Sequence, residues 1–339
     1  MKNTIMPAIL VTLASLLGTI SAGYITSRAV NIRLQDNFNR EADQIANTYY
    51  TKLHTHVTIL EGMRGFWDAT GNFTQHNLTD YLQSLDLDSI DKAGVSAYFY
   101  IPAIAKDNQR IFEKNVKNEP NTPSVYSTYT IHPSSTEQFL YPLTYGYPLA
   151  GRENVIGLDY GTISLRKDAI EYARDTGSLA TTLAMTLQTT GNPGFFFFLP
   201  LYKSRLPLER LPERRLAFAG VVGASFRAES AFEQIFGGSD PYPYLDFQVY
   251  QGAATTPNRL LYDHDKNFTA SKPHFTASRL IRLQDQTWTI LIESKPSFSL
   301  VDPEQKLPVY VFAFGIIMTI SLALFSTYKL SRIRSCNKL

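Results

Sequence analysis

Two long apolar segments without a charged residue enclose the central part of this 339-residue chain. One covers residues 5–27 and the other covers residues 307–328. Each is long enough to cross the hydrocarbon core of a bilayer as a helix, which takes roughly 20 residues. We therefore predict a transmembrane helix at each end, with the water-soluble part of the chain between them.

The positive charges beside these segments predict their orientation. Four basic residues lie in the tail that follows the second segment, residues 329–339. Such clusters stay on the cytoplasmic side of a membrane. With two spans, the N-terminal residues 1–4 are then cytoplasmic as well. We expect a multi-pass protein of the cell membrane whose central region is extracytoplasmic.

A cleaved signal peptide is the alternative for the first segment, because Ser21, Ala22 and Gly23 are small enough for a cleavage site. The apolar run is longer than the roughly 7–15 residues of a signal peptide, which favours a membrane anchor. The single cysteine, Cys336, lies in the tail. The central region therefore has no disulfide, and a bacterial periplasm suits it.

The central region is long enough for two small domains. Its balanced charge, +2 for the whole chain, gives no reason to expect a nucleic-acid partner. The basic residues between 203 and 215 alternate with Glu209 and Glu213. We interpret this stretch as a solvated loop, with a binding role as the minor alternative.

A long helix is predicted to continue from the first membrane segment as a stalk, residues 28–71. Its apolar residues recur at steps of three and four, which places them on one face. That apolar seam either forms a homodimer and transmits a signal, or packs on its own domain. The seam comprises Phe38, Ala42, Ile45, Tyr49, Leu53, Val57, Leu60, Met63 and Trp67.

Beyond the stalk, strands alternate with helices in two successive blocks. The apolar stretches 94–102 and 194–200 read as buried strands, the second one central in its sheet. Further strands are predicted at 216–226, 244–250 and 259–262, and a hairpin at 279–283 and 287–293, joined around Asp285 and Gln286. This order indicates an α+β fold in which a long helix carries two small sheets.

Several short motifs follow one another along the central region. They are Gly94-Val95 with Arg110, Phe112 and Glu113; Tyr141-Pro142-Leu143-Thr144-Tyr145 with Pro148; Gly157-Leu158-Asp159 followed by Arg166 and by Asp175-Thr176-Gly177; and Phe198-Leu199-Pro200-Leu201-Tyr202. In this order they resemble the CHASE family, the extracytoplasmic sensor domains of membrane receptors. One departure is Tyr147, which stands where the family usually has an acidic residue.

The resemblance implies a fold and a ligand class. It implies a sensor domain at residues 72–294, with two PAS-like α/β modules on the stalk: a distal module at about 72–205 and a proximal module at about 206–294. The distal module of the plant members binds cytokinins, which are adenine derivatives. We accordingly expect a small-molecule ligand, and an adenine derivative only by this analogy. The predicted ligand-binding residues are Asp159, Thr181, Thr182, Phe197, Leu199 and Tyr141.

Asp159 is also singled out by its own surroundings. A carboxylate between Leu158 and Tyr160 on an apolar strand needs a partner, because burying it alone costs several kcal/mol or forces its protonation. A ligand N–H is one such partner. A helix cap or a bond to the backbone is the other. The run of phenylalanines from 195 to 198 more often forms core than ligand contacts, since alternate residues face opposite sides of a sheet.

No motif points to catalysis, a metal or a cofactor. The six histidines are scattered, and His54 and His56 point in different directions on a helix. The sequence holds no P-loop, nucleophile elbow, H-E-x-x-H or dinucleotide motif. We therefore expect that the protein is not an enzyme and binds no cofactor or metal.

The chain ends shortly after the second apolar segment, so we expect the output to come from a separate partner such as a kinase or a cyclase. Two functions follow. One is a sensor that binds a small molecule outside the membrane and signals through that partner. The other is a membrane scaffold or interaction protein that keeps the sensor fold without a ligand. A pocket filled by Phe197 would favour the scaffold, and an open cavity with Asp159 at its wall would favour the sensor.

Overall fold

The computed structural model describes residues 5–85, 94–189, 191–233, 235, 240–266, 273–284, 286–298 and 303–336. The predicted cytoplasmic N-terminus and the turn residue Asp285 lie outside them. The chain divides into two compact units. The first comprises Met1–Glu41, Ala270–Phe275 and Glu293–Leu339, and the second comprises Ala42–Thr269 and Thr276–Ile292.

The predicted long N-terminal helix is confirmed. Helix α1 runs without interruption over Ile5–Thr70 and covers 66 residues. After Pro7 it contains no proline, so every later residue can donate its helical hydrogen bond. A second long helix closes the described chain; it spans Leu307–Cys336 and is called α7 below. Both helices are long and apolar enough to cross a membrane.

Small residues bring α1 and α7 close together in the first unit. The hydroxyls of Ser15 and Thr319 lie 2.8 Å apart and share a hydrogen bond. A Cβ added to Gly315 would lie 2.3 Å from Cγ2 of Thr19, so only glycine allows this approach. Packing through small residues with a hydroxyl bond across the helices is how helices associate in an apolar solvent.

The second unit contains an antiparallel sheet built from sequence-distant strands. Its order is β4-β1-β8-β7-β5, and β6 also pairs with β7. The strands β7 and β8 pair along their whole length, which makes them the centre of the sheet, as predicted for residues 194–200. The strands are β1 Val95–Pro102, β4 Tyr145–Tyr147, β5 Ala180–Thr181, β6 Met185–Thr186, β7 Pro193–Tyr202 and β8 Phe218–Arg227; β2 Ile104–Ala105 and β3 Phe139–Leu140 form a separate pair.

Among the described residues, five α-helices accompany this sheet. The helix over Ser164–Thr176 ends at Gly177, which adopts a left-handed φ of 80°. The basic stretch that we interpreted as a loop contains a helix instead. Pro212 lies in its first turn, and the carboxylate of Glu213 accepts a hydrogen bond from the backbone N–H of Arg210 at 2.9 Å. The helices are α2 Gln75–Ser84, α3 Gln109–Lys117, α4 Ser164–Thr176, α5 Leu211–Ala217 and α6 Ala228–Glu233.

A second sheet has the order β10-β9-β12-β11. Strand β8 belongs to the first sheet, although the sequence analysis placed residues 206–294 in the proximal module. The pairing of β8 with β1 and β7 moves the division between the sheets to a point after Arg227. The strands of the second sheet are β9 Leu245–Gln251, β10 Leu260–Asp263, β11 Thr276–Leu283 and β12 Gln286–Ser294.

The apolar seam of α1 is buried within its own chain in the second unit. The ring of Tyr49 lies 5.4 Å from that of Phe232, and the ring of Trp67 lies 5.7 Å from that of Tyr100. The indole N–H of Trp67 donates to the carbonyl of Tyr202 at 2.8 Å. Of the two alternatives for the seam, packing on its own domain describes these residues.

Candidate functional site

A partly enclosed cavity opens beside the first sheet. The space inside it that the centre of a water-sized sphere can reach is about 30 Å³, and the empty volume between its walls and across its open mouth is about 490 Å³. Strands β1, β7 and β8 form its floor, the first turn of α4 one wall, and the segments after β4 and β6 its rim. The polar side chains of its lining are Arg152, Arg166, Gln188, Thr189 and Ser225, with Tyr160 among the aromatic ones.

Arg166 brings a positive charge into this cavity. It lies in the first turn of α4, and only 1% of its surface is exposed. Its guanidinium carbon lies 4.2 Å from the ring centre of Tyr160 and 4.7 Å from that of Phe196. Contacts of a cation with aromatic faces are attractive, and the two rings also restrict the directions in which the planar group can turn.

The guanidinium makes no hydrogen bond to the part of the chain that the structure describes. Its Nε and Nη1 are buried and have no acceptor there, and no described carboxylate lies within 4.0 Å of it. Burial lowers the pKa of the Arg166 guanidinium, yet the group stays protonated at neutral pH. A buried, charged donor without an acceptor is costly, which makes Arg166 a candidate ligand contact.

The four phenylalanines at 195–198 lie alternately on the two faces of the first sheet. The rings of Phe196 and Phe198 stack 5.9 Å apart on the cavity side, near Tyr160. Phe195 and Phe197 point to the opposite side, where Phe197 lies 6.1 Å from Trp288. The alternation follows from the period of two in a strand. Phe197 and Leu199, both predicted ligand contacts, therefore lie on the face opposite Phe196.

Asp159 is completely buried and accepts hydrogen bonds from the backbone. Its Oδ1 accepts hydrogen bonds from the backbone N–H groups of Tyr141 at 2.8 Å and Gly161 at 2.9 Å. It thereby caps the short turn Tyr160–Thr162, which places Tyr160 beside Arg166. The second oxygen, Oδ2, has no partner among the described residues. The backbone is therefore one partner of this carboxylate, and a ligand contact of Asp159 stays a prediction.

The other predicted site residues are also engaged within the fold. Thr182 is buried, and its Oγ1 accepts from the N–H of Phe196 at 3.1 Å. Thr181 pairs with Phe197 in β5. Burial raises the pKa of Tyr141 to about 12. Among the described residues that line the cavity, none is one of the six predicted. Their assignment as ligand contacts stays a prediction.

Sequence reasoning missed Arg166 as a site residue, although a signal was available. The buried residues of α4 are Arg166, Ala169, Ile170 and Ala173. Their steps of three, one and three define the apolar face of an amphipathic helix. An arginine on that face is unusual, because a charged side chain is almost never fully buried unless it is paired.

A buried histidine lies where α1 meets the first sheet. His56 is 1% exposed, and its Nδ1 lies 2.7 Å from the hydroxyl of Tyr98, with which it shares a hydrogen bond. Burial, aided by the nearby charge of Lys52, lowers the pKa of His56 to about 4. The ring is therefore neutral at pH 7. Within the described ranges, no group of three His, Cys, Asp or Glu side chains is placed to hold a metal ion.

Comparisons with known proteins give one family. The family model of the CHASE domain matches residues 71–262. No curated protein sequence matches the chain.

Solved structures with a similar arrangement come from bacterial receptors. An extracellular ligand binding receptor from Desulfohalobium retbaense DSM5692 is 11% identical with a TM-score of 0.45; the match covers 76% of this chain and 40% of that one. The ligand binding domain of the Pseudomonas aeruginosa PAO1 amino acid chemoreceptor PctC, in complex with GABA, is 13% identical with a TM-score of 0.41 and coverages of 76% and 98%. That of the Pseudomonas fluorescens chemoreceptor CtaA, in complex with L-isoleucine, is 11% identical with a TM-score of 0.43 and coverages of 81% and 97%.

Proposed function

This chain belongs to the CHASE domain family, and from that premise we propose that it is a membrane-anchored sensor. It binds a small molecule outside the cell membrane and passes a signal across the membrane to a separate partner. The observation that carries the proposal is the cavity beside the first sheet, which contains a buried Arg166 without an acceptor among the described residues. A fold that served only as a scaffold would have no need to keep such a charge in its interior.

The membrane arrangement supports the same function. We propose that α1 and α7 both cross the cell membrane and that the two sheets form a distal and a proximal PAS-like module outside it. The basic residues after Tyr328 then lie in the cytoplasm. The output is proposed to come from a separate kinase or cyclase that contacts these two helices.

Strand β1 offers a route for the signal inside the second unit. Phe99 faces the cavity, while its neighbour Tyr98 bonds to His56 of α1. A ligand that binds one arrangement of this strand better than another shifts the population towards it. The shift reaches the stalk through the Tyr98–His56 contact. A homodimer, if it forms through α1, uses a face other than the buried seam.

The scaffold remains the second candidate, and the cavity argues against it. The sequence analysis linked that function to a pocket filled by Phe197. Phe197 lies on the other side of the sheet, and the space beside Phe196 is unfilled, with room for a few water molecules. An adenine derivative remains a candidate ligand by family analogy alone.

The test is a thermal-shift screen of the full chain in lipid nanodiscs against a metabolite library that includes adenine derivatives. A ligand well above its dissociation constant stabilises by a few kcal/mol, which raises the melting temperature by roughly 4–10 °C. The matched variants are Leu149→Trp, at the half-buried rim, and Leu216→Trp, at a position that is 76% exposed. The stabilisation should disappear in the first and persist in the second. If no compound stabilises the protein, or Leu149→Trp responds like the wild type, the sensor function is refuted in favour of the scaffold.

A further inference from the structure

The charge of Arg166 has no counter-charge in the described lining of the cavity. Arg166 lies inside the cavity and Arg152 at its rim, and no residue of the described lining is acidic. Arg152 is half-buried, and its Nη1 donates to the carbonyl of Ala150 at 3.1 Å. Arg166 has no such acceptor among the described residues. The potential inside the cavity is therefore positive, and an anion is the ligand that it favours.

The chemistry of the guanidinium narrows the kind of anion. A planar guanidinium matches the two oxygens of a carboxylate in a bidentate pair. Tyr160 and Phe196 touch the group from its surroundings, so it is oriented before a ligand arrives. Its position in the first turn of α4 adds the positive end of the helix dipole to its own charge.

The rest of the lining suits a short apolar body. Phe99, Ile156 and Leu187 contribute apolar side chains, and the hydroxyl of Ser225 is directed to the carbonyl of Ala97 at 3.4 Å. A phosphate dianion would need donors for three or more oxygens, and the lining offers few beyond the arginines. A neutral purine would leave Arg166 buried without a counter-charge.

We propose that the cavity binds a small carboxylate, whose two oxygens are held by the guanidinium of Arg166 and whose apolar part packs on Phe99, Ile156 and Phe196. The inference rests on the proposed sensor function and specifies the ligand class at the same site.

The experiment is calorimetric titration of the full chain in nanodiscs. The probes are L-amino acids and short-chain carboxylic acids, each paired with its own carboxamide, together with inorganic phosphate. The acid should bind more tightly than its amide by roughly 10- to 100-fold, the loss expected when a charge-assisted hydrogen-bond pair is removed. Arg166→Gln should reduce this preference to below about threefold. Arg152→Gln, the matched change at the rim, should keep most of it.

The outcomes separate the ligand class from the function. Equal binding of acid and amide, a preference that persists in Arg166→Gln, or tight binding of phosphate each overturns the carboxylate proposal. A neutral compound that binds and is blocked by Leu149→Trp also overturns it, but leaves the sensor function standing. If no compound binds, both the carboxylate proposal and the proposed sensor function are refuted. Should Arg166→Gln fail to fold, the comparison of acid with amide on the wild-type chain still decides.

Discussion

Three ionisable side chains of the second unit are buried, and each is accommodated in a different way. Asp159 bonds to two backbone N–H groups, and His56 loses its proton and bonds to Tyr98. Arg166 can do neither, since a guanidinium keeps its proton and no acceptor is found for it among the described residues. Asp159 and His56 therefore have partners within the fold, and Arg166 is the residue for which we propose a ligand as the partner.

Replacing Asp159 separates its structural role from the predicted ligand contact. Asp159→Ala leaves two buried N–H groups without their acceptor and should lower the free energy of unfolding by roughly 1–3 kcal/mol. Asp159→Asn keeps an acceptor oxygen and should lose less. Urea denaturation followed by tryptophan fluorescence measures both, because Trp67 and Trp288 lie in the second unit. The affinity of both variants for the best carboxylate should stay within about threefold of the wild-type affinity. If they lose as much affinity as Arg166→Gln does, Asp159 contacts the ligand as the sequence predicts.

His56 should make the stability of this unit depend on pH. Its pKa is about 4 in the folded chain, below its usual value of about 6.5. The unfolded chain therefore binds the proton first as the pH falls. The contribution of His56 to the free energy of unfolding is fully present above about pH 6.5. It falls by roughly 3 kcal/mol as the pH is lowered to 4. Lys52 adds to the effect because its charge opposes protonation.

The matched variant is His56→Gln, which cannot titrate. Subtracting its urea-denaturation free energy from that of the wild type at each pH removes the contribution of all other groups. The free energy of unfolding of the wild type minus that of the variant should be smaller at pH 4 than at pH 7. A difference that stays constant between these values would contradict a neutral, buried His56.

At the scale of elements, the alternation along β7 decides which phenylalanine a ligand meets. Phe196→Leu and Phe197→Leu each remove part of a buried ring, and each should lower the free energy of unfolding by roughly 1–2 kcal/mol. Only Phe196→Leu should weaken ligand binding, because only Phe196 lines the cavity. Titration of both variants with the best-binding compound provides the test. Weaker binding in Phe197→Leu alone would place the site on the other face of the sheet.

The elements also show how far sequence patterns reach. The period of three and four predicts α1, and apolar runs predict β1 and β7, because these patterns are local. The face of β7 that meets the cavity depends on β8 and on the loop carrying Tyr160, which are distant in sequence. A run of four phenylalanines is apolar on both faces, so it contains no information about which face is which. The choice of Phe197 over Phe196 could not be settled from the residues alone.

At the scale of the whole chain, the proposed orientation places the tail in the cytoplasm. Cys336 is the only cysteine, so a membrane-impermeant maleimide reports on its side of the membrane. It should label Cys336 only after the cells are permeabilised. In a Leu216→Cys variant that also carries Cys336→Ser, labelling should occur in intact cells, because residue 216 is exposed in the central region. The opposite pattern would invert the proposed topology.

The family of the chain and its two long apolar helices were predictable, whereas the polar centre of its cavity was not. Apolar length and flanking charge predict the membrane segments, and the order of motifs identifies the family. Whether a buried charged side chain has a partner depends on every element packed around it, and those elements are distant in sequence. Asp159 and Arg166 both belong to family motifs, yet only three-dimensional packing shows that Asp159 accepts two backbone hydrogen bonds, whereas Arg166 has no acceptor among the described residues.

Hydrogen exchange of the full chain, with and without the best-binding carboxylate, tests the central claim most directly. The ligand should slow exchange at the segments that surround the cavity, residues 146–156, 160–166 and 187–189. Arg166→Gln at the same ligand concentration should show none of this protection. Protection confined to other parts of the chain, or none at a concentration that saturates binding, would contradict a carboxylate sensor built around Arg166.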